Sequence, residues 1–216
     1  MSGTDPTTQL PATRRGRTAL PAPVPAVRRQ RAARAPAERP TQILDAAARV
    51  LLRDRLGATI DAIATEAGLG KGTVYEYFGS KARILTALRS RCTDETLAAG
   101  LRRAGERPAP AIDRIRRFVA GMVEYGVANA DLVSLLYHEA GIEEDNELGP
   151  VRAELLDLVQ NGVEAGELAV VDPAFSVEFL LHGLHGIMEG SLARAEPAGP
   201  VLARLDPVIV ALLNPV

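Results

Sequence analysis

The stretch from Thr59 to Lys81, TIDAIATEAGLGKGTVYEYFGSK, constrains this chain more than any other. Ile60, Ile63, Ala64 and Ala67 recur at i, i+3, i+4 and i+7, which is one apolar face of a short helix, and Thr59 precedes them as a cap. Gly68 then stands where a chain leaving a helix needs a positive φ. Leu69 tucks into the angle before a second helix, from Gly70 or Lys71 to Phe78. In that helix Val74 and Phe78 turn inward with Leu69, Ile63 and Ile60. Lys71, Thr73, Tyr75 and Glu76 are left outside, with Tyr77 at the boundary. Two tyrosines beside an inward phenylalanine exceed what packing requires. A phenol on a rigid ring reaches a phosphate oxygen at little entropic cost, and Lys71 or Thr73 at the helix start reaches base edges. Lys81 opens the following helix, where backbone N–H groups and the dipole attract phosphate. Residue by residue, an ordinary helical hairpin with a polar outer face remains the alternative. As a set, the segment reads as a helix laid into the major groove of DNA.

Charge distribution is an independent check. Residues 1–40 carry 8 Lys and Arg against 2 Asp and Glu, residues 41–107 carry 11 against 8, and residues 108–216 carry 6 against 17. The formal net charge of −2 therefore conceals a positive N-terminal part and a strongly acidic C-terminal half. Only the first suits a polyanion.

Scarce aromatics, short β-branched runs and abundant Ala, Leu and Arg favour an all-helical fold, and 216 residues suffice to bury a substantial core. The single Cys92 excludes an intrachain disulfide framework and a cysteine zinc cluster. No apolar run approaches the roughly 18–20 residues of a membrane span, and the N-terminus lacks the apolar core of a secretory signal, so a cytoplasmic location with no membrane contact is expected. Residues 1–40 are rich in arginine, as transit peptides are, but their seven prolines spoil an amphipathic helix. They read as a disordered basic arm. Arg28, Arg29, Arg31, Arg34 and Arg39 either enter a minor groove or track phosphates, or simply add non-specific affinity. A translation start later than Met1 is a third reading.

Helical periodicity begins at Thr41, read as a cap after Pro40, and runs through Ile43, Ala47, Val50 and Leu51 to about Arg53. After the hairpin, Ser80 caps a long helix from about Lys81 to Ala104, ended by Gly105 and Pro108. Further helices are expected over Pro110 to about Asn129, Asp131 to about Ala140, Pro150 to Ala165 and, capped by Asp172 and opened by Pro173, to about Ala195. Gly141 to Asn146 reads as an acidic loop. A last helix follows AEPAGP, with a kink or restart expected at Asp206 and Pro207. No internal repeat and no convincing strand is evident.

The run ATIDAIATEAG, the helix KGTVYEYF and the trailing SK, within roughly residues 41–90, resemble the DNA-binding domain of the tetracycline-repressor (TetR) family. The resemblance implies an all-α chain in which an N-terminal three-helix helix-turn-helix domain is joined by a long fourth helix to a C-terminal helical ligand-binding and dimerisation domain. The corresponding divisions are 1–40, the basic arm, 41–88, the DNA-binding domain, and 89–216, the remainder. It implies DNA contacts from Thr59, Lys71, Gly72, Thr73, Tyr75, Tyr77 and Lys81. Three departures stand out: the loop LRDRLGAT is about two residues shorter than the family spacing, Gly70 replaces a polar residue, and Glu76 sits on a face turned to a polyanion. Glu76 either accepts from a cytosine amino group or points along the groove into solvent.

The same resemblance implies a homodimer on a palindromic double-stranded DNA operator, formed through the last two long helices. Gly183, Gly186, Gly190 and Ala193 allow close helix approach, between copies or within one chain, and Leu202, Leu205, Val208, Ile209 and Leu212 form the apolar side of the last helix. A small-molecule effector is implied too, with Phe118, Met122, Tyr125, Tyr137, Phe175, Phe179, His182 and Met188 as candidate pocket residues, although each residue of this kind, taken alone, is more often core than pocket. The acidic half makes a neutral or cationic ligand the expectation over an anionic one. His182 and His185, with Glu178 and Glu189 at helical spacing, lack a clear third partner for a metal and read as structural or pocket histidines, so no metal and no cofactor is expected. No nucleophile–base pair, phosphate loop or metal cluster suggests an enzyme. The expected function is a ligand-responsive repressor, with a TetR-like activator or chromosome-organising factor as the alternative.

Overall fold

The computed structural model describes residues 38–139, 148–214 and 216. The basic arm through residue 37, with Arg28, Arg29, Arg31 and Arg34, and the acidic loop Gly141 to Asn146 lie outside the described residues. Among the described residues there are nine α-helices: α1 (Arg39–Asp54), α2 (Ile60–Ala67), α3 (Lys71–Phe78), α4 (Lys81–Ala104), α5 (Ala111–Ala128), α6 (Ala130–Ser134), α7 (Gly149–Glu164), α8 (Pro173–Ala193) and α9 (Ala198–Leu213). No single helix among them is long and apolar enough to cross a membrane.

The capping chemistry explains most boundaries. The Thr59 hydroxyl accepts from Ala62 N at 3.1 Å, the Ser80 hydroxyl from Arg83 N at 3.2 Å and the Asp172 carboxylate from Phe175 N at 3.0 Å, each satisfying an orphan amide of a helix start. Gly68 takes φ 68° at the end of α2, and the bonds Leu69 N to Ala64 O (2.9 Å) and Gly68 N to Thr65 O (3.0 Å) close that helix in the paired Schellman pattern.

Three expectations are corrected. Helix α1 starts at Arg39 rather than after a Thr41 cap, with Pro40 in its first turn, because a first-turn residue has no intrahelical N–H bond for proline to forfeit. Helix α9 does not restart at Pro207 but continues through it. The carbonyl that loses its partner there belongs to Ala203, an exposed residue. The segment after Asn129 is a short α6 followed by a π-helical turn, Leu135–Glu139, rather than one α-helix to Ala140. Leu135 and Leu136, both fully buried, are consecutive, and both pack into the core of the N-terminal helices.

Two apolar clusters organise the fold. One joins Ile43, Val50 and Leu51 of α1, Ile63 of α2, Val74 of α3 and Ile84 and Leu88 of α4 with Leu135 and Leu136. The other joins Ile115, Phe118 and Val119 of α5 with Leu155 and Val159 of α7, Leu180 and Leu184 of α8 and Leu205 and Ile209 of α9. Each such side chain, fully buried, contributes on the order of 1.5–3 kcal/mol. Helix α4 passes from the first cluster to the second. Against α5 its backbone comes so close that a Cβ at Gly121 would lie 2.4 Å from Ala99 O, and one at Gly100 would strike the Phe118 ring at 2.8 Å. Arg116 of α5 donates to both carboxylate oxygens of Asp206 on α9, at 2.6 Å through Nη2, and holds that carboxyl below its usual pKa. The connector before α8 is pinned to the chain end by Ala169 N to Asn214 O (2.9 Å) and Val216 N to Glu167 O (3.1 Å).

Candidate functional site

Helix α3 is eight residues long and is held by one fully buried side chain, Val74, with Phe78 and Leu69 half-buried beside the first core. Everything else on it is turned outward. Lys71, Gly72, Tyr75, Glu76 and Tyr77 are exposed, and Thr73 is half-buried at the helix start. Tyr75 and Tyr77 show 45% and 39% of their surface, a large aromatic area left unpacked. At Gly72 nothing lies within 4 Å of the position a Cβ would occupy, so the backbone itself is open to close approach.

Thr59 and Lys81 flank this face at the starts of α2 and α4. Thr59 is exposed and Lys81 half-buried. The Thr59 hydroxyl uses a lone pair on Ala62 N, and a hydroxyl retains its own O–H to donate. Lys71 is oriented from below: its Nζ lies 2.9 Å from the Asp61 carboxylate on α2 and 5.9 Å from the Tyr75 ring centroid. The Asp61 hydrogen bond and charge raise the Lys71 pKa, so the ammonium stays charged. The frame behind is cross-tied by Gln42 Nε2 donating to Ala67 O (2.7 Å), Arg49 to Glu66 (2.7 Å) and Arg91 to Asp45 (2.7 Å). The exposed ion pairs contribute at most about 1 kcal/mol each, and their effect is to fix the angles of α1, α2 and α4.

A cavity of about 440 Å³ lies between α4, α5, the π-helical turn and α8. That volume is in the range of roughly 300–1,000 Å³ typical of small-molecule sites. Met122, Tyr137, His182 and Met188 line it, together with Arg89, Cys92 and Thr96 from one face of α4 and Val123, Gly126, Leu181, Leu184, His185 and Glu189 from α5 and α8. The other candidates lie elsewhere. Phe118 is fully buried against Gly100 in the second core. The Tyr125 hydroxyl donates to Glu95 at 2.7 Å, and burial with that bond pushes its pKa far above the usual phenol range. Phe175 and Phe179 face outward, 64% and 55% exposed, with ring centroids 6.3 Å apart, because α8 turns Val177, Leu180, Leu181 and Leu184 inward instead.

The same outer side of α8 carries Gly183 and Gly186, where an added Cβ would meet nothing within 4 Å, whereas at Gly190 it would lie 3.2 Å from Arg194. His182 Nδ1 sits 2.8 Å from Glu178 O, and among the described residues no group of three or more His, Cys, Asp or Glu could hold a metal. Burial pushes the Cys92 thiol above its usual pKa, which disfavours the reactive thiolate.

Residues 43–88 match the family described as bacterial regulatory proteins, tetR family. Within those residues the chain is similar to that family. Over 106 residues it is 34% identical to the HTH-type transcriptional repressor LfrR of Mycolicibacterium smegmatis, covering 49% of this chain and 53% of that one. The chain thus matches about half the length of this curated relative. Among solved structures, a putative TetR-family transcriptional regulator from Rhodococcus sp. superposes with a TM-score of 0.65 at 22% identity over 82% of this chain and 99% of that one. The transcriptional regulator FadR of Bacillus subtilis, solved in complex with stearoyl-CoA, superposes with a TM-score of 0.64 at 18% identity over 80% and 96%. At these identities the likeness is one of fold.

The structure brings Thr59, Lys71, Thr73, Tyr75, Tyr77 and Lys81 together on or beside α3. Two further residues belong to that surroundings. Asp61 sets the direction of Lys71, and exposed Arg83 has its guanidinium 3.7 Å from where a Cβ of Gly79 would be, beside the α3–α4 turn. Arg83 is two residues beyond Lys81 in a helix first turn, the signal that finds it in the sequence. Arg89, Cys92 and Thr96 share one face of α4 at helical spacing, but spacing alone does not say that this face lines a cavity.

Proposed function

We propose that the protein is a dimeric transcriptional repressor that grips a palindromic operator with α3 and is released when a small molecule occupies the cavity. The observation that carries this reading is the outward face of α3: a lysine and two tyrosines exposed, with a half-buried threonine at the helix start, on a helix whose other side is locked into a core. Phosphate contacts from Thr59, Tyr77 and Lys81 fix the register, while Lys71, Thr73 and Tyr75 reach base edges. Repression in particular is supported by the LfrR relative, named a transcriptional repressor.

The outer side of α8, with Phe175, Phe179, Gly183 and Gly186, and the exposed flank of α9, with Val208, form the pairing surface in this proposal. Two heads then stand about one helical turn of DNA apart, roughly 34–36 Å. The π-helical turn couples the sites. Leu135 and Leu136 sit in the core of the DNA-reading helices, and the next residue, Tyr137, lines the cavity. A ligand pressing on Tyr137 therefore bears on the seat of α1 and α4, and the two bound states favour different head spacings.

Linkage requires that operator weaken effector binding by the factor with which effector weakens operator binding. A direct test is operator binding by Lys71→Ala and Tyr75→Phe proteins of unchanged melting temperature. Losses of roughly tenfold or more and of a few-fold are expected, and unchanged affinity in both places the DNA face elsewhere.

A further inference from the structure

The cavity is asymmetric in a way that bears on what fills it. Its walls are apolar, from Met122, Val123, Leu181, Leu184 and Met188, but its polar groups are segregated. On the α8 side His182, His185 and Glu189 are exposed. On the α4 side stands Arg89, only 6% exposed, with its guanidinium 5.0 Å from the centroid of the Tyr137 ring. Tyr137 is itself fixed by a 3.0 Å hydrogen bond between its hydroxyl and Thr93, a buried residue one turn along the same helix. A charged side chain is rarely placed in the wall of an apolar cavity, because desolvating it is costly.

Resting on the effector reading above, we infer that the cavity accepts an amphipathic molecule with an anionic head, a carboxylate or its equivalent, directed at Arg89, and an apolar body against the methionines and leucines. A guanidinium is charged at every accessible pH and presents five N–H donors in a planar fork, more than one partner takes, and it matches a carboxylate in a bidentate fashion. The cation–π contact with the Tyr137 ring holds the guanidinium in the wall. Glu189 does not reverse the preference: it stands on the exposed side, where water screens it, whereas Arg89 acts in low-dielectric surroundings. The acidic character of the C-terminal half, which by itself favours a neutral or cationic ligand, is an average over the whole half and not a property of the cavity wall. Arg89 stands in the cavity wall itself, and its guanidinium is the group to which the proposal assigns the head.

The test uses the full chain and three probes that share one alkyl chain and differ in head group: decanoate, decanol and decylamine, each titrated by calorimetry near neutral pH below its aggregation concentration. Decanoate is expected to bind roughly tenfold more tightly than decanol, with decylamine weakest. In Arg89→Met, which keeps an apolar stem in the wall, decanoate falls to the affinity of decanol while decanol itself is little changed. Arg89→Lys, which keeps the charge but loses the fork, retains an intermediate preference and guards against misfolding of the methionine variant, whose folding is checked by circular dichroism. Decanol or decylamine binding as tightly as decanoate, or a decanoate preference that survives in Arg89→Met, overturns the head-group assignment and leaves the cavity as an effector site. Failure of all three probes to bind overturns both.

Discussion

Among single residues, Asp61 makes the least obvious contribution. It adds a negative charge to a surface proposed to meet DNA, yet it holds Lys71 in place at 2.9 Å. Replacing it with Asn removes a repulsive charge and releases the lysine. Asp61→Asn is therefore expected to raise affinity for random DNA while reducing the ratio of operator to random binding, measured by competition at fixed salt. A second residue-scale prediction concerns acid. Arg204, Ser191 and Arg194 hydrogen-bond the Glu196 carboxylate and hold its pKa near about 2, below the ordinary value of 4.5. A depressed carboxylate stabilises the folded state above its unfolded pKa and loses that contribution as pH falls through the folded one. Thermal melts from neutrality down to about pH 2 should show Glu196→Gln with a shallower acid decline than the parent. Residue-level chemistry was legible where it is local, as for the caps Thr59, Ser80 and Asp172. It was not legible for Phe175 and Phe179, because helical spacing groups residues on one face without saying which face turns inward.

Elements were legible to the extent that their ends are set by their own side chains. Pro40 and Pro207 misled for one reason: a proline disrupts a helix only where its missing N–H or its ring matters, and neither the first turn of α1 nor the exposed flank of α9 is such a place. The π-helical turn has no signature in spacing, since it forms where two consecutive leucines are both drawn into a core built by distant helices. That turn invites a direct measurement. Leu136→Ala should destabilise the chain by about 2–5 kcal/mol in denaturant unfolding. It should also reduce the factor by which effector weakens operator binding. Helix α8 separates the two uses of glycine. With nothing within 4 Å of a Cβ at Gly183 or Gly186, Gly186→Ala in an isolated chain gains up to about 1 kcal/mol from helix propensity. A bulky Gly186→Trp costs an isolated chain little but blocks a paired α8. Sedimentation that shows Gly186→Trp as a monomer, with its helical content intact, supports the proposed dimer surface, and an unchanged mass removes it.

For the molecule as a whole, the proposed function joins the polarity of charge along the sequence, the outward face of α3 and the cavity into one device, with DNA at the N-terminal part and an acidic C-terminal half that DNA repels. In the proposed mechanism reciprocal coupling runs through α4, which carries Ile84 and Leu88 in the first core and Arg89, Cys92 and Thr96 in the cavity wall. The overall helical architecture was legible because composition, periodicity and capping agreed. Arg89 was not singled out, because a sequence records its charge and not its burial. The most direct measurement is selection of genomic DNA by the purified full chain, followed by affinity measurement on the enriched sequence for the parent protein and for Lys71→Ala/Tyr75→Phe. The account predicts an enriched palindrome with half-sites about one DNA turn apart, roughly 10 base pairs, and a loss of affinity of at least roughly tenfold in the double variant at unchanged melting temperature. No enriched sequence, or a double variant that binds the site as well as the parent does, would contradict it.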